Sequence, residues 1–323
     1  VREDGVSPVG AGERDASTDG PTPAPAHLAE RLAGVDAVLL DIDHTLVDTA
    51  AAFARALGRS LIPMLRTRHR ASMQAGSSEL ASGSDDHATG TGDRATGVDE
   101  QATGADGRAA GVDDGAIIAR WSADPGDHYR SYTRGEVPYA VQRHARIDEI
   151  AHWLGLASFS DTEYEAFARA FDAEFIPACT AFEDARPAVL ALHEAGVSVG
   201  AVSNASRFLQ ERKLESAGLA DVVPLLVTVE TFGVGKPDPR VFREGARLLG
   251  VDPARAAYVG DEPDVDAQAA ALAGLRGVLL RRPTDERSLG HREPRPDQRR
   301  YCEVGDLTRV AAAIALPTGT RTG

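Results

Sequence analysis

The sequence predicts an α/β protein built on a doubly wound parallel sheet, and three observations predict it. Short continuous apolar runs recur along the chain, as expected for strands covered on both faces. Between them lie stretches with apolar residues at three- and four-residue spacing, the pattern of amphipathic helices. Strand and helix alternate in series, which calls for parallel pairing through right-handed crossovers. With 323 residues and 42% hydrophobic content the chain can bury a sizeable core, and its length suits one core carrying an insertion.

The strand runs are residues 35–42, 197–203, 222–229, 256–260 and 277–280, and the helical stretches between them are 186–195, 206–217, 239–249 and 266–273. The alternation breaks after residue 49, where only helical patterns follow: 50–70, 117–121, 141–154 and 161–175. The economical reading is a core made of 35–49 and 181–316, with a helical subdomain of residues 50–180 inserted after the first strand.

Two segments lack any periodic apolar pattern and are expected to be disordered, 1–30 and, in the middle of the chain, 76–115; residues 317–323 are a C-terminal tail. The middle one repeats every seven residues, from Ala88-Thr89-Gly90 through Ala95-Thr96-Gly97 to Ala102-Thr103-Gly104. Each unit carries a glycine and no apolar seam, so it is not a coiled-coil heptad.

The formal charge of −14 belongs largely to these segments, since residues 76–115 carry −7 and residues 1–27 carry −3. Acidity therefore argues against nucleic-acid binding and says nothing of a ligand. No run of 18 apolar residues and no basic segment leading into an apolar one occurs, so a cytoplasmic protein with no membrane partner is expected. Oligomeric state has no sequence signature. Cys179 and Cys302 have no metal-ligand spacing and read as incidental thiols. Lysine is nearly absent: Lys213 and Lys236 stand against 33 arginines. A lysine that survives such a bias is a candidate for work that a planar guanidinium does poorly.

Ligands of open α/β sheets bind at the carboxyl ends of the strands. Those positions hold Asp41 and Asp43 after the first strand, Ser203 and Asn204 after the second, Lys236 beyond the third, and Asp261 and Asp266 after the fourth. An isolated aspartate there is more often a turn or a helix cap, but four such coincidences at consecutive strand ends favour a catalytic constellation. Glu262 and Asp264 read as a solvated turn.

Asp41-Ile42-Asp43-His44-Thr45, Ser203-Asn204, Lys236-Pro237 and Gly260-Asp261 with Asp266 resemble, in order, the four motifs of the haloacid dehalogenase superfamily, in its C1-capped phosphatase branch. The resemblance covers about residues 35–49 and 181–316 and implies a Rossmann-like core with the helical insertion as a cap. It implies Asp41 as the nucleophile that forms an aspartyl phosphate, and Asp43 as an acid that keeps its proton for the leaving oxygen. Mg2+ would be held by Asp41, the Asp43 carbonyl and Asp261, with Asp266 and Asn204 in support. Lys236 would offset charge, and Ser203 would donate to a phosphoryl oxygen. Dehalogenases of the superfamily lack an acid at the Asp43 position, so the expected substrate is a small phosphorylated metabolite. A sugar-phosphate mutase, a haloacid dehalogenase and a catalytically silent binding protein are the alternatives. His44 departs from the commoner Gly, Asn or Asp.

Specificity belongs to the insertion, where two clusters are candidates: Arg66, Arg68, His69 and Arg70, and His128, Tyr129, Arg130, Tyr132 and Arg134. A solvated helix face is the favoured reading of both.

Overall fold

The computed structural model describes residues 26–82, 113–282 and 293–315. A first helix, α1 (Ala26–Arg31), leads into β1 (Ala37–Leu40) and the short β2 (Val47–Asp48). Six described helices follow: α2 (Thr49–Arg59), α3 (Leu61–Ser82), α4 (Asp114–Ala123), α5 (His128–Thr133), α6 (Tyr139–Trp153) and α7 (Asp161–Ala178). The chain returns through β3 (Thr180–Ala181) and then alternates: α8 (Ala185–Glu194), β4 (Ser198–Ser203), α9 (Arg207–Ser216), β5 (Leu226–Thr228) and α10 (Pro239–Leu248). It closes with β6 (Ala256–Gly260), α11 (Ala269–Leu272), β7 (Arg276–Leu280), β8 (Cys302–Val304) and α12 (Leu307–Ala315).

Six of these strands form one sheet in the order β5-β4-β1-β6-β7-β8, parallel throughout. All four residues of β1 are buried because helices cover both faces. Side chains alternate across the strand: Val38 and Leu40 join one apolar cluster with Val189 and Leu192 of α8, while Ala37 and Leu39 join another with Phe242 of α10 and Tyr258 of β6.

The helical stretch leaves and re-enters the core at one point. β2 and β3 pair antiparallel, Val47 opposite Ala181 and Asp48 opposite Thr180. Asp48 also caps α2 by accepting from the Ala51 amide at 3.2 Å. The centre of the stretch is aromatic: Phe53 of α2 packs on Phe175 of α7 with ring centroids 4.7 Å apart, and Trp121 of α4 lies 6.0 Å from Phe171.

The structure departs from the expected elements where local chemistry intervenes. The strand expected at 222–229 begins only at Leu226, because Pro224 has no amide to donate to a ladder. Val222 and Val223 instead donate back to the Leu219 carbonyl in a turn. The helix expected over 50–70 breaks at Ser60, whose hydroxyl bonds the Ala56 carbonyl at 2.6 Å. α3 continues to Ser82, past the start of the segment expected to be disordered. α1 falls inside the expected N-terminal tail, held by the buried Leu28 and Leu32 against α12. The remaining tail, the seven-residue repeat and the C-terminal segment lie outside the described residues. α5, β8 and α12 were not legible as elements.

Candidate active site

Because β4, β1 and β6 are adjacent and parallel, the residues that end or follow them meet at one edge of the sheet. Ser203 closes β4, Asp41 follows β1, and Asp261 follows β6. Lys236 comes in from the loop before α10. Its ammonium lies 2.6 Å from Asp41 Oδ1, 2.7 Å from Asp266 Oδ1 and 2.9 Å from Tyr258 Oη, which occupies all three of its donors. Burial opposes the ammonium's charge, but Asp266 and Asp41 overcome that and hold its proton well above the ordinary lysine range.

Asn204 fixes this loop through the main chain of Lys236. Its side-chain carbonyl accepts from the Lys236 amide, and its Nδ2 donates to the Lys236 carbonyl at 3.0 Å. Gly235 makes room, since a Cβ there would collide with the Asn204 amide. Asp266 is equally fixed: Oδ1 meets Lys236 and Tyr258, and Oδ2 accepts from the Glu262 amide at 3.0 Å. Gly260 allows that approach, because any Cβ at that position would meet the Asp266 carboxylate. Both oxygens of Asp266 are thus committed, and Asn204 holds the main chain of Lys236 in place.

Asp41, Asp261 and Asp266 are all buried, and each offers a carboxylate oxygen within 4.8 Å of the others. Burial pushes the Asp41 carboxyl well above the usual range; Lys236 opposes the shift, while Asp266, Asp261 and Asp43 add to it. Such crowding fits a site that receives a cation, and the donors are oxygens throughout. Glu262, read as a solvated turn, instead lines the cavity, and burial beside Asp266 pushes its carboxyl up to about 8. Asp264, also read as solvated, pairs with Arg130 of α5 at 3.1 Å and so joins the sheet domain to the helices.

Asp43 departs from expectation. Lys213 of α9 lies 2.6 Å from its Oδ1, and Gln210 Nε2 donates to its Oδ2 at 2.8 Å. Burial raises its proton affinity, but the Lys213 charge and the bonds from Lys213 and Gln210 outweigh it, so Asp43 is held below the usual aspartate range. The expectation that Asp43 keeps its proton is therefore not met in this arrangement. Gln210 also donates to Ser203 Oγ at 2.7 Å, linking two motif residues. His44 adopts a left-handed backbone with φ of 59°, the region that Gly, Asn and Asp enter most easily.

Sequence reasoning gave no role to Gln210 or Tyr258 and singled out Lys213 only as one of two lysines among 33 arginines, without a partner. In the structure both lysines meet a motif aspartate. Gln210 and Tyr258 carried no signal: one is a polar helical residue, the other an apolar-looking strand residue.

A cavity of about 320 Å3 opens over Asp41, Asp43, Ser203, Lys236 and Asp261, roofed by α2, α4, α6 and α7. Tyr129 of the second cluster lines it, whereas His128 pairs with Glu149 at 3.2 Å and Arg134 with Glu136 at 2.6 Å. The first cluster does not line it. Arg66 pairs with Asp114 at 2.7 Å, and Arg68 donates to the carbonyls of Ala157 and Ser158 while covering the Phe159 ring.

Comparison with known proteins agrees with this arrangement. Residues 35–274 match the family model described as haloacid dehalogenase-like hydrolase. A phosphoserine phosphatase of Thermus thermophilus is 40% identical over 121 residues, which are 38% of this chain and 46% of that protein. A glyceraldehyde 3-phosphate phosphatase of Methanopyrus kandleri is 40% identical over 101 residues, 31% of this chain and 43% of that protein. The matched part of the chain therefore spans less than half the length of either. Among solved structures, the HAD-hydrolase YfnB from Bacillus subtilis, bound to magnesium, aligns over 87% of this chain and 98% of its own, with TM-score 0.57 and 15% identity. A HAD family hydrolase from Deinococcus radiodurans, with bound phosphate and sodium, aligns over 87% and 96% with TM-score 0.53 and 21% identity. At such identities these two structures bear on the fold alone.

Proposed function

The chain belongs to the haloacid dehalogenase-like hydrolases, and from that premise we propose that it is a Mg2+-dependent phosphatase, hydrolysing a small phosphomonoester through an aspartyl phosphate. The observation that carries the reading is Asp41 held by Lys236 beside Asp261, with Asp43 facing the same cavity. An acid at position 43 is what dehalogenases of the superfamily lack.

In this reading a carboxylate oxygen of Asp41 bonds to phosphorus as the bond from phosphorus to the ester oxygen breaks. Asp43 gives the departing oxygen a proton, then takes one from the water that attacks the aspartyl phosphate, releasing phosphate and restoring Asp41. Asp43 starts ionised, so it first takes up a proton from solvent as the substrate binds, the negative charge of the arriving phosphate raising its proton affinity, and that proton is the one it hands to the departing oxygen. Lys213 and Gln210 hold both of its oxygens and so orient it. Ser203 donates to a phosphoryl oxygen, and Lys236 keeps Asp41 aimed and partly neutralised.

Asp41, Asp261 and the Asp43 carbonyl are the oxygens that would hold Mg2+, since both carboxylate oxygens of Asp266 are already bonded. When bound, the ion offsets the repulsion between the phosphate and Asp41. The helices α2–α7 serve as a cap in this proposal. Its support is the Arg130–Asp264 pair and the bond from the Gly235 amide to the Thr133 carbonyl at 3.0 Å. No described helix is long and apolar enough to cross a membrane. A cytoplasmic location is part of the same proposal.

The test is phosphate release from p-nitrophenyl phosphate, O-phosphoserine and glyceraldehyde 3-phosphate, with and without Mg2+, and with Asp41→Asn as control. Release that depends on Mg2+ and on Asp41 is expected. Its absence from every ester, or equal release by the variant, would overturn the proposal.

A further inference from the structure

The cavity over Asp41 has a polar floor and an aromatic roof. Phe53, Trp121, Tyr129, Tyr139, Phe171 and Phe175 all line it, in a chain only 5% aromatic. Four of them also pack on one another, with centroids of Phe53, Trp121, Phe171 and Phe175 between 4.7 and 6.2 Å apart where they touch. They form a packed apolar wall suited to a flat apolar body.

The cations around the cavity are already committed to carboxylates. Lys236 serves Asp41 and Asp266, Lys213 serves Asp43, and Arg130 serves Asp264. Arg146, the arginine in the roof, stacks 3.9 Å over the Trp121 ring, donates to the Trp121 carbonyl and lies 3.5 Å from Asp124. Asp172 and Glu262 add two more carboxylates to the lining. A second phosphate or a carboxylate on the substrate would meet crowded acids, and beyond the two lysines the described lining offers only His44 and Arg146, the latter turned onto the Trp121 ring. A sugar's hydroxyls would lose water against rings that offer few partners.

We propose that the leaving group accepted here is aromatic and uncharged: a monophosphate of an arylalkyl alcohol or a phenol, its ring held against Phe53, Trp121 and Phe171. The inference rests on the phosphatase reading, in which Asp41 takes the phosphoryl group while the aryl alcohol departs with a proton from Asp43. A cavity of about 320 Å3 suits one ring and one phosphate, at the small end of ligand pockets.

Three alkyl esters separate recognition from leaving-group chemistry: 2-phenylethyl phosphate, glycerol 3-phosphate and O-phosphoserine. The expected kcat/KM for the phenylethyl ester is at least tenfold above either other ester. Binding is read independently in Trp153→Phe with Asp41→Asn, where Trp121 is the one tryptophan left of two and turnover is blocked. Its fluorescence is expected to change saturably with 2-phenylethyl phosphate, at a Kd at least tenfold below that for O-phosphoserine. Equal or better turnover of the glycerol or serine ester overturns the inference while sustaining the phosphatase reading. Tight binding of the phenylethyl ester with no phosphate released from any ester sustains the aromatic site and overturns the phosphatase reading. A Trp121 signal that does not respond overturns the inference.

Discussion

Lys213 Nζ stands 2.6 Å from Asp43 Oδ1, the same separation that joins Lys236 Nζ to Asp41 Oδ1. Each of the two motif acids thus has its own lysine, one from α9 and one from the loop before α10. The two pairs end differently. Each lysine lowers the proton affinity of its aspartate, but burial and the neighbouring acids still leave Asp41 well above the usual range, whereas Lys213 and Gln210 outweigh burial and take Asp43 below it.

Replacing Lys213 should separate substrates by their leaving groups. Lys213→Met leaves Asp43 without the partner that orients it, so esters of poorly acidic alcohols should lose about 100-fold in kcat, in line with the worth of a positioned acid. p-Nitrophenyl phosphate, whose leaving group needs little protonation, should lose only a few-fold. Lys213→Arg should recover part of the loss. An equal drop on both esters, with circular dichroism unchanged, would remove the assigned role.

Asp41→Asn should lower kcat by on the order of 10^4-fold or more, as removal of a nucleophile does elsewhere. The fold should survive, because the variant relieves repulsion among Asp41, Asp261 and Asp266. Thermal unfolding in metal-free buffer is the companion measurement, and a Tm no lower than that of the wild type is expected.

The same repulsion gives a pH dependence with a definite sign. Asp41 has a raised proton affinity when folded, so its contribution to stability is present below the ordinary aspartate range and is lost as pH rises through the folded value. In metal-free buffer the wild type should lose Tm relative to Asp41→Asn as pH rises above the ordinary aspartate range near about 4. Mg2+ should close that gap at the upper end and raise the wild-type Tm more than the variant's. EDTA should silence turnover.

His44 takes a left-handed backbone at φ of 59°. His44→Asn, whose short side chain bonds locally in that region, should stabilise the protein in urea denaturation by less than the roughly 1–2 kcal/mol that a left-handed L-residue costs. Unchanged or lower stability would mean that contacts of the His44 ring outweigh its backbone cost.

The sheet and the motif residues were legible because both depend on local pattern. β1, β4, β6 and β7 are buried apolar runs, and Asp41, Ser203, Lys236 and Asp261 follow from where such runs stop. The contacts that set protonation were not legible. Lys213 and Asp43 lie 170 positions apart, and only the tertiary fold brings α9 to the loop that follows β1. Tyr258 reads as one more apolar strand residue until its hydroxyl is seen 2.9 Å from Lys236. The aromatic roof draws on α2, α4, α5, α6 and α7, whose spacing reports an apolar face but not the space that face leaves open.

The ribbon of β2 and β3 fixes both ends of the helical stretch with two residue pairs, Val47 with Ala181 and Asp48 with Thr180. On the cap proposal, the segment between those pairs would be open to change in length wherever it does not meet the core, as Arg130 does at Asp264, while the register of the six-stranded sheet stays as it is. What is recognised and how it is cleaved would then be open to separate change, and a chimera grafted at residues 48 and 180 that keeps such contacts is the unit for redesigning one without the other.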